Sequence, residues 1–178
     1  MSSSKKIAIL VEDMYQTLEV WYPRLRLKEN GIETIFVGTG GKEIYGSKEG
    51  YPVKADVSIN QVRADDFDGV IIPGGFAPDF LRRYEKVVDF VKEINRQGKV
   101  VASICHGGWL LVSADILRGR RATSFFAIKA DLVAAGVQFV DEEVVVDKNL
   151  ITSRKPEDLT AFCAEIIKLL NSKIPVSR

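Results

Sequence analysis

The 178-residue chain contains one histidine and two cysteines, and two of these three residues are adjacent. Cys105 and His106 sit in Val100-Val101-Ala102-Ser103-Ile104-Cys105-His106-Gly107-Gly108. The β-branched run predicts a buried strand, and the cysteine falls where that strand turns into a helix. A nucleophile on such a turn is presented above the sheet edge. The free N–H groups and positive dipole end of the following helix favour a thiolate, which predicts a Cys105 pKa below the usual ~8.5. Gly107 and Gly108 leave the sulfur open to approach. Cys163 instead falls on the apolar stripe Leu159, Phe162, Ile166, Ile167, Leu170 and is expected to be an inert core residue.

The single histidine also excludes chemistries. No histidine follows position 106, so the Cys…His…Glu triad of class I glutamine amidotransferases cannot be assembled. A histidine-rich zinc site fails on the same count, and two distant cysteines supply no thiolate cluster. Neither a metal nor an organic cofactor is expected. Pro73-Gly74-Gly75 ends a second apolar strand. Backbone N–H groups at Gly74 and Gly75, together with that of His106, are placed to form an oxyanion hole, with Gly107 lining the approach.

These residues need a frame, and the rest of the chain predicts one. Lys6–Val11, Glu33–Val37, Phe67–Ile72 and Lys99–Ile104 read as strands apolar on both faces. Helices are predicted over Thr17–Asn30, Asp79–Arg96 and Lys129–Ala135, and from His106 through Leu111. A last helix opens at Pro156. Two hairpins are expected, one over residues 43–54 and one turning at Asp147-Lys148-Asn149. Strands separated by helices indicate a doubly wound α/β fold, with a parallel sheet covered on both faces and ligands bound beyond the strand C-termini. No repeat or linker divides residues 1–178, so one domain is expected.

Lys+Arg is 25 against Asp+Glu 24. A net charge of +1 gives no bulk footprint for nucleic acid or an anionic membrane. The longest uncharged stretch, Val100–Ala114, is shorter than the ~20 residues a membrane span needs. No export signal is visible, so a cytoplasmic protein without disulfides is expected.

Ala102-Ser103-Ile104-Cys105-His106-Gly107 resembles the nucleophile motif of the PfpI/ThiJ superfamily, and Ile72-Pro73-Gly74-Gly75 resembles its second motif. Residues 140–147 and 151–156 resemble the tail of the PfpI-like intracellular protease branch. The similarity runs from about Lys6 to Leu170. It implies a flavodoxin-like fold with a reactive elbow cysteine. It also implies an acid from the first helix that contacts the thiol, here Glu19, which its helical setting alone marks as a solvated residue. A second acid, here Asp79, is implied to reach the histidine of a neighbouring subunit in a dimer or hexamer. On its own setting after Pro78, Asp79 reads as a helix N-cap. The chain departs from the family pattern at Gly108, where Pro is common, at Phe125, where Tyr is frequent, and at Asp79, where Glu is usual.

Two classes of function follow from the resemblance. One is a cysteine-nucleophile enzyme, either a peptidase or amide hydrolase, or a cofactor-independent glyoxalase or deglycase. The last two act on α-oxoaldehydes and early glycation adducts. All need a thiolate, an acid/base and an oxyanion pocket. The other class is a redox-sensing stress-response protein whose Cys105 is oxidised to a sulfinate without turnover.

Overall fold

The structure, a computed structural model, describes residues 5–172. Along the chain, β1 (Lys6–Val11) leads into α1 (Thr17–Glu29) and β2 (Glu33–Gly38). A small antiparallel hairpin, β3 (Ile44–Gly46) and β4 (Pro52–Lys54), then leaves the main sheet. The two-residue β5 (Val57–Ser58) returns to it, followed by β6 (Gly69–Ile72), α2 (Ala77–Leu81), α3 (Glu85–Arg96), β7 (Val100–Ile104) and α4 (Gly108–Ser113). The last third holds β8 (Arg121–Ala122), α5 (Lys129–Ala134), β9 (Gln138–Phe139), β10 (Val144–Asp147), β11 (Leu150–Ser153) and α6 (Leu159–Asn171).

Seven strands form the main sheet in the order β10-β11-β7-β6-β1-β2-β5. Only the β10–β11 pair is antiparallel. The doubly wound parallel arrangement expected from the sequence is therefore present, with one antiparallel edge. Alternate residues of β1 feed two cores, as the period of two in a strand requires. Ile7, Ile9 and Val11 pack with Val20 and Leu27 of α1 and with Phe162, Cys163 and Ile166 of α6. Ala8 and Leu10 face the other way, toward Val91 and Ile94 of α3, Leu110 and Leu111 of α4, and Leu132 of α5.

β1 pairs with β2 on one side and β6 on the other, so the chain reverses its winding there. The connections leaving β1, β6 and β7 rise at the same end of the sheet. Such a switch point opens a crevice beyond the strand C-termini. It brings residues 12–19, 73–76 and 105–107 together, although they are far apart in sequence.

The helix expected over residues 79–96 is two helices. α2 lies against α4 and the turn after β7, whereas α3 lies on β6 and β7. No single straight helix serves both, and the chain breaks at Arg82–Tyr84, where Tyr84 is extended. Asp79 lies inside α2, whose N-cap is Phe76, so it is not a cap. The helix after Cys105 also begins differently, with a 3₁₀ turn over Cys105–Gly107 before α4. Among the described residues no helix is long and apolar enough to cross a membrane.

The aromatic Phe162 is fully buried between α6 and the sheet, beside Cys163 and away from the crevice. Phe162→Ala should destabilise the protein by about 3–5 kcal/mol through lost burial and a residual cavity. Denaturant titration checks this, and the alkylation pattern of Cys105 in the folded variant should match wild type.

Candidate active site

β7 is buried along its whole length and delivers Cys105 at its C-terminal end. The backbone there turns sharply: Ile104 is extended, whereas Cys105 has φ +59°. A non-glycine residue in this left-handed region costs roughly 1–2 kcal/mol. The turn throws the side chain out of the strand and back over the crevice. The Phe125 N–H donates to the Cys105 carbonyl at 3.3 Å and ties the elbow to the loop before α5.

The loop after β6 approaches from the side. Gly74 has no room for a side chain, since a Cβ there would stand 2.6 Å from Glu19 Oε2, 2.7 Å from Cys105 Cβ and 3.0 Å from the His106 nitrogen. Gly75 has φ +72° and pairs with Tyr15 in an antiparallel bridge. The N–H groups of Gly75 and His106 both point at the Cys105 sulfur. Gly75 and His106 are two of the three backbone donors expected from the sequence. The Gly74 N–H has another task, donating to Glu19 Oε2 at 2.6 Å. Gly107 is buried behind the elbow, where a Cβ would meet the Ile72 carbonyl and the Ser103 hydroxyl.

Glu19 is completely buried, in the first turn of α1. The solvated position suggested by its helical setting is overturned, and the placement implied by family resemblance is the one observed. Gln16 caps the helix through its side-chain oxygen, which accepts the Glu19 N–H at 2.9 Å. Glu19 Oε1 has no hydrogen-bond partner among the described residues. The group beside the carboxyl is the Cys105 thiol. Burial raises the Glu19 pKa from 4.5 to about 7, against the lowering effect of the Gly74 hydrogen bond.

The expected low thiol pKa is corrected by the same geometry. Burial, followed by the neighbouring Glu19 charge, pushes the Cys105 thiol up to about 12. The His106 and Gly75 N–H groups pull the other way without prevailing. A 3₁₀ turn and a short helix supply less favourable field than the sequence argument assumed, and a carboxylate opposes a nearby thiolate directly. Both burial and the neighbouring carboxylate favour the protonated thiol at Cys105.

His106 Nδ1 lies 3.3 Å from Cys105 Sγ. Its ring packs on Phe125, with centroids 4.9 Å apart, and against the edge of Trp109 at 5.1 Å. Burial, followed by the Lys48 charge, lowers its pKa and keeps the imidazole neutral. Asp79 makes no hydrogen bond to His106 within the chain. It is paired with Arg82 at 3.0 Å and with Arg83. Burial pushes the Asp79 carboxyl up, but hydrogen bonds from Arg83 and Arg82 outweigh it and hold the pKa below the usual range. Arg82 in turn stacks over Trp109 at 5.2 Å. Asp79 therefore connects to His106 through two intervening side chains.

The match of residues 5–169 to the model of the DJ-1/PfpI family decides the lineage. The chain belongs to the DJ-1/PfpI family. It is 42% identical to Deglycase PfpI of Pyrococcus furiosus, over 93% of this chain and 99% of that one. It is equally 42% identical to Protein/nucleic acid deglycase 2 of Escherichia coli, over 95% of this chain and 99% of the relative. The YraA protein of Bacillus subtilis, whose name assigns it provisionally to the cysteine proteases, is also 42% identical, over 94% of this chain and 99% of its own. Among solved structures, Drosophila melanogaster DJ-1beta superposes with a TM-score of 0.89 at 28% identity, covering 96% of this chain and 92% of that one. A two-domain protein of Anabaena variabilis, with DJ-1/ThiJ/PfpI-like and ferritin-like domains, gives a TM-score of 0.92 at 44% identity. This chain is 94% covered in that comparison and spans 48% of the Anabaena protein.

Several site residues escaped the sequence argument. Tyr15 bridges Gly75 on one side and Ser47 on the other. Glu49, from the β3–β4 turn, accepts the Thr17 N–H at 3.1 Å and the Thr17 hydroxyl at 2.8 Å, holding the start of α1. Among the described residues no group of three or more His, Cys, Asp and Glu is placed to hold a metal.

The raised Glu19 pKa has a stability consequence with a definite sign. Between pH ~4.5 and 7 the unfolded chain releases this proton while the folded chain keeps it, so stability falls as pH rises through that window. The full effect is about 3 kcal/mol for a shift of this size. Glu19→Gln should remove that loss, and the stability difference between variant and wild type should grow from pH 4 to pH 8. Chemical denaturation across this range measures it.

Proposed function

We propose that this protein is a cofactor-independent, cysteine-nucleophile enzyme acting on α-oxoaldehydes and early glycation adducts. The observation that carries this reading is the burial of Glu19, its pKa raised to about 7, in the same Gly74 crevice as a strained elbow thiol. The deglycase names of the two relatives from Pyrococcus furiosus and Escherichia coli support it.

Glu19 in its carboxylate form takes the Cys105 proton as sulfur bonds to the aldehyde carbon. The carbonyl oxygen becomes an alkoxide beside the Gly75 and His106 N–H groups and is then protonated, giving a hemithioacetal. The hydrogen on that carbon leaves as a proton to Glu19 or His106 and returns to the adjacent carbon. The product is a thioester of an α-hydroxy acid. Water hydrolyses it, releasing the acid and restoring the thiol. The balance is one oxoaldehyde and one water consumed for one hydroxy acid. Preorganised donors in such a site contribute on the order of 10²–10³ in rate each.

The His106 Nδ1 contact with the sulfur favours a second reading, amide hydrolysis, in which the imidazole takes the thiol proton and passes it to the leaving amine. The provisional protease name of the Bacillus relative agrees with it. Stoichiometric oxidation of Cys105 to a sulfinate by peroxide, with Glu19 donating a hydrogen bond to the product, is the non-catalytic alternative. Assays with methylglyoxal, glyoxal and fluorogenic peptides on wild type and Cys105→Ala separate the three. Turnover of the oxoaldehydes, abolished in Cys105→Ala, is expected. Peptide cleavage alone establishes the second reading, and peroxide consumption without turnover the third.

We further propose that the protein assembles as a homo-oligomer, a dimer or a hexamer, with Asp79 brought to a neighbour's site. Phe126 is 77% exposed and Phe76 44% exposed. With Phe125 and Trp109 they surround the His106 ring with aromatic surface of the kind interfaces bury. Sedimentation at micromolar concentration should show a dimer or larger species. A fully active monomer overturns this assembly.

A further inference from the structure

Among the described residues the His106 ring makes one polar contact, from Nδ1 to the Cys105 sulfur at 3.3 Å. Its flanks are aromatic. Phe125 lies 4.9 Å away with the ring planes 30° apart, and Trp109 lies 5.1 Å away with the planes 64° apart. Phe125 has no polar ring atom, and the indole N–H of Trp109 is engaged elsewhere. These two neighbours orient the imidazole by packing alone.

Trp109, in the first turn of α4, is fixed from three directions. Its Nε1–H donates to Asp131 Oδ2 of α5 at 2.9 Å. The guanidinium of Arg82, at the end of α2, stands over its ring at 5.2 Å and is itself held by Asp79. Phe76 meets the indole edge-on at 6.2 Å. A tryptophan side chain has two torsions, so three such contacts leave it one orientation. Gly108 explains how α5 comes so close. A Cβ there would stand 3.1 Å from Leu132 Cδ1 and 3.2 Å from Ile128 Cδ1. The glycine that stands where the family commonly has proline lets α5 seat on α4 and sets Asp131 beside the indole.

We infer that Trp109, anchored by Asp131 and Arg82, is a positioning residue that holds the His106 imidazole with Nδ1 on the Cys105 sulfur. It acts through His106 rather than on the reacting atoms. The inference deepens the proposed oxoaldehyde reaction and rests on it for the role of His106. In that reaction the imidazole must reach the proton lost by one carbon and return it to the next. A ring free to turn about its torsions would spend part of its time with Nδ1 away from the sulfur. Locking the ring removes that fraction before a substrate arrives.

The chain's single histidine supplies the readout, because imidazole signals in an NMR spectrum of the intact, untagged protein can come from His106 alone. Ring currents of Trp109 and Phe125 displace those signals from the positions of an exposed histidine. Asp131 is exposed and bonds the indole, so Asp131→Ala frees Trp109 without opening the core. In that variant the signals should move toward the exposed positions. Its kcat for methylglyoxal should fall by about three- to tenfold, with KM within about twofold of wild type. Asp131→Asn keeps an oxygen acceptor for the indole and should restore both readouts. Trp109→Leu should reproduce the loss of kcat, and adding Asp131→Ala to it should lower kcat no further. Unchanged histidine signals in Asp131→Ala, or undiminished kcat in Trp109→Leu, overturn the positioning role. So does a loss in Asp131→Asn equal to that in Asp131→Ala, which would trace the effect to the charge at the start of α5. If wild type does not turn over methylglyoxal, the proposed reaction fails, and the histidine signals of the two Asp131 variants alone decide the positioning.

Discussion

The enclosure of a carboxyl and a thiol in the same crevice governs the rest of the site. Glu19 and Cys105 each lose solvation; the Glu19 charge disfavors the thiolate, whereas the neighbouring thiol eases ionisation of Glu19. A site holding one easily lost proton between them results. The Gly74 N–H fixes which carboxylate oxygen faces the loop, and the absence of a Cβ at Gly74 allows the approach. Strain at the Cys105 backbone is tolerated because β7 is buried and paired on both sides, to β6 and β11. The sheet therefore supplies the rigidity that a left-handed cysteine needs.

Electrostatics around this pair are arranged in layers. The backbone donors of Gly75 and His106 favour negative charge on sulfur or on an attached oxygen. His106, lodged between Phe125 and Trp109, is kept neutral and can accept or donate a proton without bringing a fixed charge. The aromatic packing also replaces the hydroxyl that a tyrosine at position 125 would bring. Asp79 is neutralised by two arginines, so its influence on His106 within the chain passes through Arg82 and Trp109.

Much of this was legible in the sequence, for identifiable reasons. Strands buried on both faces are continuous apolar runs, so β1, β2, β6 and β7 stood out, and Cys105 was marked by the end of one of them. The hairpins were marked by glycine and by Asp147-Lys148-Asn149. The two-residue strands β5, β8 and β9 are too short to show a period. Glu19 was opaque to helical patterning because its burial comes from Gly74 and Cys105, which are 55 and 86 positions away; family motifs alone pointed to it. The pKa of Cys105 was misjudged because a helix end is visible in a sequence and a distant buried carboxylate is not.

The strand order has a consequence for how the protein is made. Glu19 follows β1 and Cys105 follows β7, with β6 lying between those strands in the sheet. The acid and the thiol meet only after these three strands have paired, a non-local step. Until then the nascent chain carries Cys105 as an ordinary cysteine, with the acidity of a free thiol. Completing the sheet pushes that pKa up to about 12. Folding thus quiets the thiol toward adventitious electrophiles at the same moment that it installs the machinery for using it, and the vulnerable interval of this protein's life is its synthesis.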